Sequence, residues 1–218
     1  MDECTGLRER KKAATRLALH EAALRLAVEH GPDRVTVEAI ADAANVSRRT
    51  FSNYFAGKEE ALFHGDTLRL RRLVELVRQQ PTDLPPWRAL TGAALVQADE
   101  GYDDPAEPWL SRRRLLHGHP SLVAHQVGAY AAIERELSAE IARRLTGPDA
   151  ALRARVLGAT FLATLRVAAQ QWIEHPDEPL RAVLSTVLRH ATPAADRPPA
   201  RAADEGMPGD SGTPSDLR

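Results

Sequence analysis

The sequence contains a single cysteine, Cys4, in 218 residues. That excludes an internal disulfide and a cysteine-rich zinc site, and it fits a reducing cytoplasm, the expected compartment. Lysine is nearly as scarce: Lys11, Lys12 and Lys58 are the only three among 29 basic side chains, and the other 26 are arginine. With the richness in Ala, Pro and Leu, this has the look of a GC-rich coding sequence, so a cluster of Arg weighs less here than it usually would. Long apolar runs are also short of what a bilayer asks. In the apolar C-terminal half, the uncharged stretch between Arg155 and Arg166 is about half of the ~18 residues of a membrane span, and none is expected. A secretory leader is not expected either, because Arg8, Glu9, Arg10, Lys11 and Lys12 lead into an amphipathic stretch. No repeat recurs at a fixed period of about 20–50 residues. A glycine-rich phosphate loop, a nucleophile elbow and a metalloprotease helix motif are all missing, so neither an enzyme nor a cofactor is called for. Net charge is nearly absent too. The 29 basic side chains against 30 acidic ones leave −1, which by itself argues against a nucleic-acid partner.

What the chain does have is helical periodicity, with almost no strand alternation. Its length exceeds one domain of roughly 100–200 residues and is enough to bury a core without staples. The first amphipathic stretch runs from Arg8 to His30, with Leu17, Leu24, Ala27 and Val28 on one side, and Gly31-Pro32-Asp33 stops it. Thr36 is placed to cap a short second helix that turns Val37, Ile40 and Ala41 inward. Asn45 follows where a left-handed turn residue fits, and Ser47 is placed to cap a third helix through Phe55. After Ala56-Gly57, a fourth helix is expected from Lys58 to about Gln80. Pro81 and Pro85-Pro86 mark a hinge. Beyond it, helices are expected over Trp87–Glu100, Glu107–Leu116, Ser121–Leu145, Asp149–Glu174 and Asp177–Ala191, each separated by Gly or Pro. From Pro193 to Arg218 there are five prolines and three glycines in 26 residues, too polar to offset ordering entropy, and this tail is expected to be disordered. The fold class is all-α.

The informative segment is Thr36 to Lys58. Two short helices joined by a tight turn have the proportions of a helix-turn-helix. On the second of them, Phe51 and Phe55 can pack inward, on Ile40 and the first helix. Arg48, Arg49, Ser52 and Asn53, at i, i+1, i+4 and i+5, share one outward face. Arg can bond a guanine edge with two donors, Asn an adenine edge, and Ser a base or a phosphate. Tyr54 and Lys58 stand where they can hold the phosphate backbone, as does Thr36 at a helix start.

These residues resemble a family. The stretch Thr36-Val37, Ile40-Ala41, Ala44-Asn45-Val46-Ser47-Arg48-Arg49-Thr50-Phe51, Asn53-Tyr54-Phe55 and Gly57-Lys58-Glu59 is similar to the DNA-binding domain of TetR-family transcriptional regulators. Ala22-Ala23, Leu26 and Gly31 are similar to that family's first helix, and the run from Arg49 to Phe55 resembles actinobacterial members. The likeness is specific over about residues 12–63. It implies an N-terminal helix-turn-helix domain at 1–57, a helical ligand-binding and dimerisation domain at 58–192 and the tail at 193–218. The function implied is that of a cytoplasmic homodimer, a repressor released from a pseudo-palindromic DNA operator by a small, largely apolar molecule. Carried over position by position, Ser47 is expected within the DNA-binding set. Arg48, Arg49, Thr50, Ser52, Asn53 and Tyr54 fall on DNA-contact positions, with Thr36 and Lys58 on phosphate contacts. This chain departs from the pattern at Asn45, where a glycine is often found, and at Ser52, where many members carry an aromatic residue. Helix 58–80 would act as the lever between the two domains.

The charge objection does not survive resolution along the chain. Residues 1–80 hold 14 basic and 12 acidic side chains and the remainder 15 and 18, and phosphate binding follows local arrangement. Arg8 to Lys12 would be either a solvated helix start or a further phosphate contact. Trp87, Trp109, Tyr130, Phe161 and Trp172 are candidates both for the core and for an apolar ligand pocket between helices. Ala154, Gly158, Ala159, Leu162, Leu165 and Ala169, with Leu180, Val183, Leu184, Val187 and Leu188, are candidates for a dimer interface or for ordinary packing within the chain. His117, His119 and His125 could suggest a metal, but no carboxylate or cysteine completes a ligand set, and none is expected. Two other functions fit the helices: a protein-interaction module without DNA recognition, and a small enzyme with its site near His117 and His119.

Overall fold

The computed structural model describes residues 2–100 and 120–193. Among these there are nine α-helices and no strand. They are α1 (Asp2–His30), α2 (Val37–Ala43), α3 (Arg48–Ser52), α4 (Lys58–Leu62), α5 (His64–Gln79), α6 (Pro86–Asp99), α7 (Pro120–Ala142), α8 (Ala150–Glu174) and α9 (Leu180–His190). The expected helix at 107–116, Trp109, His117, His119 and the tail beyond Pro193 lie outside the described residues. No described helix is long and apolar enough to cross a membrane.

The first three helices close where local chemistry closes them. α1 ends as Gly31 takes φ 82° and its N–H returns to the Ala27 carbonyl at 2.9 Å, a conformation that glycine adopts without strain. A 3-10 turn, Pro32–Arg34, leads to Thr36, whose hydroxyl accepts from the Ala39 N–H at 3.1 Å and caps α2. Asn45 stands at φ 54°, as expected of the turn. Ser47 caps α3 by accepting from the Thr50 N–H at 3.0 Å.

Two boundaries between α3 and α5 differ from the periodicity, and both have a tertiary cause. α3 stops at Ser52 rather than Phe55. Its last turn tightens, with the Tyr54 N–H bonding the Phe51 carbonyl at 2.8 Å, and Phe55 drops into the core, 3% exposed. The long fourth helix is broken at Phe63 (φ −91°, ψ 5°) into α4 and α5. The break lets Phe63 bury its ring against α1–α4, while Leu73, Val74, Leu76 and Val77 of α5 turn into a second core.

The first core gathers Leu19, Ala22, Ala23 and Ala27 of α1 with Val35, Ile40, Ala41, Phe51 and Phe55. Ala61, Leu62 and Phe63 join it, so α4 packs ahead of the break although the expected boundary lies at 57/58. Leu122, at the start of α7, is also fully buried there. The second core is built from α5 to α9 around Trp87, Leu90, Leu137, Ile141, Phe161 and Trp172. Gly158 lets α8 approach α7 closely: a Cβ on it would fall 2.9 Å from Ser138 Oγ. Ala154, Gly158 and Leu162, with Leu180, Val183, Leu184 and Leu188, are thereby buried within the chain itself. The free apolar face of α8 carries instead Leu152, Val156 and Val167, each more than half exposed (60, 56 and 53%), with Ala159 and Ala163 between them.

Candidate nucleic-acid interface

α3 presents its polar face because Phe51 fixes its roll. With Phe51 buried against Phe55 (ring centroids 5.8 Å apart), Arg48, Arg49, Ser52 and Asn53 are all exposed, and Thr50 and Tyr54 are half-buried at the flank. Arg48 Nη1 lies 3.1 Å from Glu38 Oε1 of α2. An exposed pair of this kind holds the guanidinium only loosely and screens easily. The Ser52 hydroxyl donates to the Arg48 carbonyl at 3.2 Å, and the Ser47 and Thr50 hydroxyls share a 2.8 Å bond. Thr36 is exposed at the start of α2. Lys58 has a second duty: its ammonium donates to the Pro32 and Asp33 carbonyls at 3.1 and 3.3 Å, tying α4 to the turn after α1. An ammonium has three donors, so one remains for a phosphate.

Arg16 of α1 belongs to this interface although no motif in the sequence singles it out. Its guanidinium carbon lies 5.8 Å from the ring centroids of both Tyr54 and Phe55, within cation–π range. Its Nη2 donates to the Tyr54 carbonyl at 3.4 Å. The turn after α3 is thus set by a cation 38 residues upstream, and no local spacing signals such a pairing.

A histidine pair fastens the joint between α1 and the α4–α5 break. His20 Nδ1 donates to the Ala61 carbonyl at 2.7 Å. The His20 ring meets that of His64 edge-on at 5.7 Å, and His64 lies 5.3 Å from Phe55. Gly65 makes the approach possible, since a Cβ there would fall 2.8 Å from His20 Nε2. Burial, then the fields of His20, Arg16 and Arg71, lower the His64 pKa from 6.5 to about 4 against the opposing Glu60. The folded joint therefore holds a neutral imidazole, while the unfolded chain protonates near 6.5. Its full contribution is present above pH 6.5 and is lost as the pH falls toward 4. Urea midpoints measured from pH 7 to 4.5 should fall, and His64→Gln should flatten that fall; parallel curves for the two proteins would contradict it.

In the second core, Asp66, Arg69, Leu70, Leu73, Gln97, Tyr130, Leu165, Leu180 and Leu184 are among the residues around a cavity of about 90 Å³. Asp66 and Arg69, in the first turns of α5, form an ion pair there, and Gln97 donates to the Arg69 carbonyl at 2.7 Å. Of the aromatic candidates within the described residues, Tyr130 alone lines this cavity. Trp87 and Phe161 stack edge-to-face at 5.8 Å in the core, and Trp172 Nε1 donates to the Glu178 carbonyl at 2.8 Å.

A helix-turn-helix with a polar outward face, carried on a helical second domain with its own cavity, is the architecture of a one-chain transcriptional regulator. The family model for bacterial regulatory proteins of the tetR family matches residues 19–64, and the MftR C-terminal domain model matches residues 84–195. The HTH-type transcriptional regulator TcmR of Streptomyces glaucescens is 30% identical over 184 residues, covering 82% of this chain and 81% of its own. MftR of Mycobacterium tuberculosis, a putative mycofactocin biosynthesis transcriptional regulator, is 25% identical over 164 residues, covering 75% and 82%. In three dimensions, a Thermus thermophilus FadR, a TetR-family transcriptional repressor in complex with lauroyl-CoA, is 25% identical with a TM-score of 0.50, covering 84% of this chain and 98% of its own. The chain belongs to the TetR family of transcriptional regulators. It is a DNA-binding regulator and not an enzyme, which removes the enzymatic alternative near His117 and His119.

Proposed function

We propose that the protein is a homodimeric repressor that leaves a pseudo-palindromic operator when a small, largely apolar molecule enters the second core. The observation that carries this reading is the exposed Arg48, Arg49, Ser52 and Asn53 face on a capped α3 whose roll is fixed by Phe51. Those side chains read base edges in a major groove, with Arg on guanine and Asn on adenine. Ser47, Thr50, Tyr54, Thr36 and the third donor of Lys58 hold the flanking phosphates.

Two copies meet through the free stripe of α8, where Leu152, Val156, Ala159, Ala163 and Val167 recur at helical spacing. A two-fold axis there puts the same patch on both sides. The ligand site is the cavity beside the first turns of α5, with Tyr130 on its wall. A ligand that binds better to the form with misplaced α3 helices weakens operator binding by the same factor that operator weakens ligand. The TetR-family repressor held with lauroyl-CoA supports a largely apolar ligand. The lever is α5, joined to α4 at the Phe63 break.

A mobility-shift titration on the gene's own upstream DNA tests the reading. Binding should be sequence-preferring, and Arg48→Ala and Arg49→Ala should each cost about 1–3 kcal/mol where the guanidinium bonds a base with two donors. Absence of sequence preference in the wild-type protein would overturn the base-reading role of the α3 face.

A further inference from the structure

From the geometry of α1 we infer a second DNA-binding element: its outer half clamps one sugar–phosphate strand against the flank of α3, beyond the base-reading face. The inference rests on the DNA-binding reading and extends it to residues the helix-turn-helix does not include.

Of the 29 residues of α1, those from Gly6 to Ala18 are exposed or half-buried, and the core begins at Leu19. At 1.5 Å per residue, that stretch is roughly 20 Å of helix ahead of the packed part. That stretch meets its own domain chiefly through Arg16 on Tyr54 and Phe55 and leaves most of its surface open. The sequence of that half points to an anion. Between residues 7 and 16 there are five cations, Arg8, Arg10, Lys11, Lys12 and Arg16, and one carboxylate, Glu9. Arg8, Arg10, Lys11 and Lys12 are exposed, and none of them meets a carboxylate among the described residues.

The register settles which way the charge faces. Leu19, Ala22, Ala23 and Ala27 bury one face of α1 against the helix-turn-helix. Continued backward at three- and four-residue steps, that face passes through Thr15 and Lys12 to Lys11 and Arg8. One stripe is therefore apolar where it meets the domain and cationic where it runs past the domain. Opposite the cationic part lie Thr50, Asn53 and Tyr54, and the two walls enclose an open groove of about 890 Å³. The groove is continuous with the base-reading face, because Asn53 belongs to both and Thr50 and Tyr54 stand at the flank between them. A DNA strand that borders the major groove occupied by α3 must pass along this flank. Arg8, Lys11 and Lys12 then close over it from the far side, toward the next minor groove, with Glu9 as the one anion on that wall.

Lys11→Ala/Lys12→Ala tests this without threatening the helix, since alanine is the best helix former. Each phosphate left without its cation should lessen the slope of log K against log salt by about 0.9. The double variant should therefore bind operator more weakly, with a slope shallower by about 2 per subunit and the same ranking of operator sequences. Hydroxyl-radical protection should shrink at the outer edges of each half-site. Wild-type slope and protection in the variant would overturn the clamp while leaving the base-reading assignment intact. A changed oligomeric state with unchanged DNA binding would give the groove to a second copy of the chain, and would overturn it as well. Wild-type protein without salt-dependent, sequence-preferring binding would overturn both readings together.

Discussion

Phe51→Ala should abolish operator binding by melting the DNA-binding half of the molecule while the other half stays folded. Phe51 is 1% exposed and stands against Phe55 in a core where five of thirteen buried residues are alanines. Such a core has few large side chains to spare. Truncating a buried Phe costs about 3–5 kcal/mol, a large part of the roughly 5–15 kcal/mol that hold a domain together. The second core has its own aromatic centre and does not use Phe51. The expected signature is a split transition in urea. Far-UV circular dichroism should lose helix early, while the fluorescence of Trp87 and Trp172, both in the second core, should keep nearly its wild-type midpoint. One coincident transition for both probes, or retained operator binding, would contradict the picture of two separately built cores.

Val156→Glu should convert the proposed dimer to a monomer. Val156 is 56% exposed and contributes nothing to the core of its own chain, so the substitution leaves the fold alone. In an isologous interface it places two carboxylates in an apolar patch, and burying an unpaired charge costs several kcal/mol. Sedimentation should then show a single chain. Operator affinity should fall by orders of magnitude, because the second half-site loses the effective concentration that linkage supplies, about 10²–10⁴-fold. A Val156→Glu protein that remains dimeric would move the interface off this face of α8.

Much of the helix-turn-helix is legible in the residues because its signals are local. Thr36 and Ser47 are caps by the chemistry of their own hydroxyls, Asn45 tolerates positive φ, and Phe51 and Phe55 are four apart on a short helix. The remainder depends on neighbours distant in sequence. Around Phe63 the only local signal is Gly65, which a helical pattern tolerates at a cost of about 1 kcal/mol and which therefore does not place a break. The break exists because Phe63 and Leu73 belong to different cores. Arg16 over Tyr54 and His20 against His64 are likewise pairings across folded distance. α8 shows the limit of periodicity itself. It is apolar on more than one side, and spacing cannot say whether Ala154 and Gly158 or Val156 and Val167 face the chain's own core. The close approach of Ser138 to Gly158 decides that. The large aromatic residues meet the same limit, since size and apolarity suit a pocket wall and a core equally. Trp87, Phe161 and Trp172 are spent on the core, and the cavity is walled by leucines around Tyr130.

Leu122 has a mechanical consequence. It anchors the start of α7 in the first core, while Tyr130, eight residues along the same helix, lines the cavity of the second. The DNA-binding half is therefore mounted on two struts, the α4–α5 pair and α7, rather than hung from one hinge. A body on two struts cannot swing freely: it moves only as one strut slides against the other, like a coupler in a four-bar linkage. About 12 Å of helix separates Leu122 from Tyr130, so α7 joins the cavity wall directly to the core that holds α1 and α4.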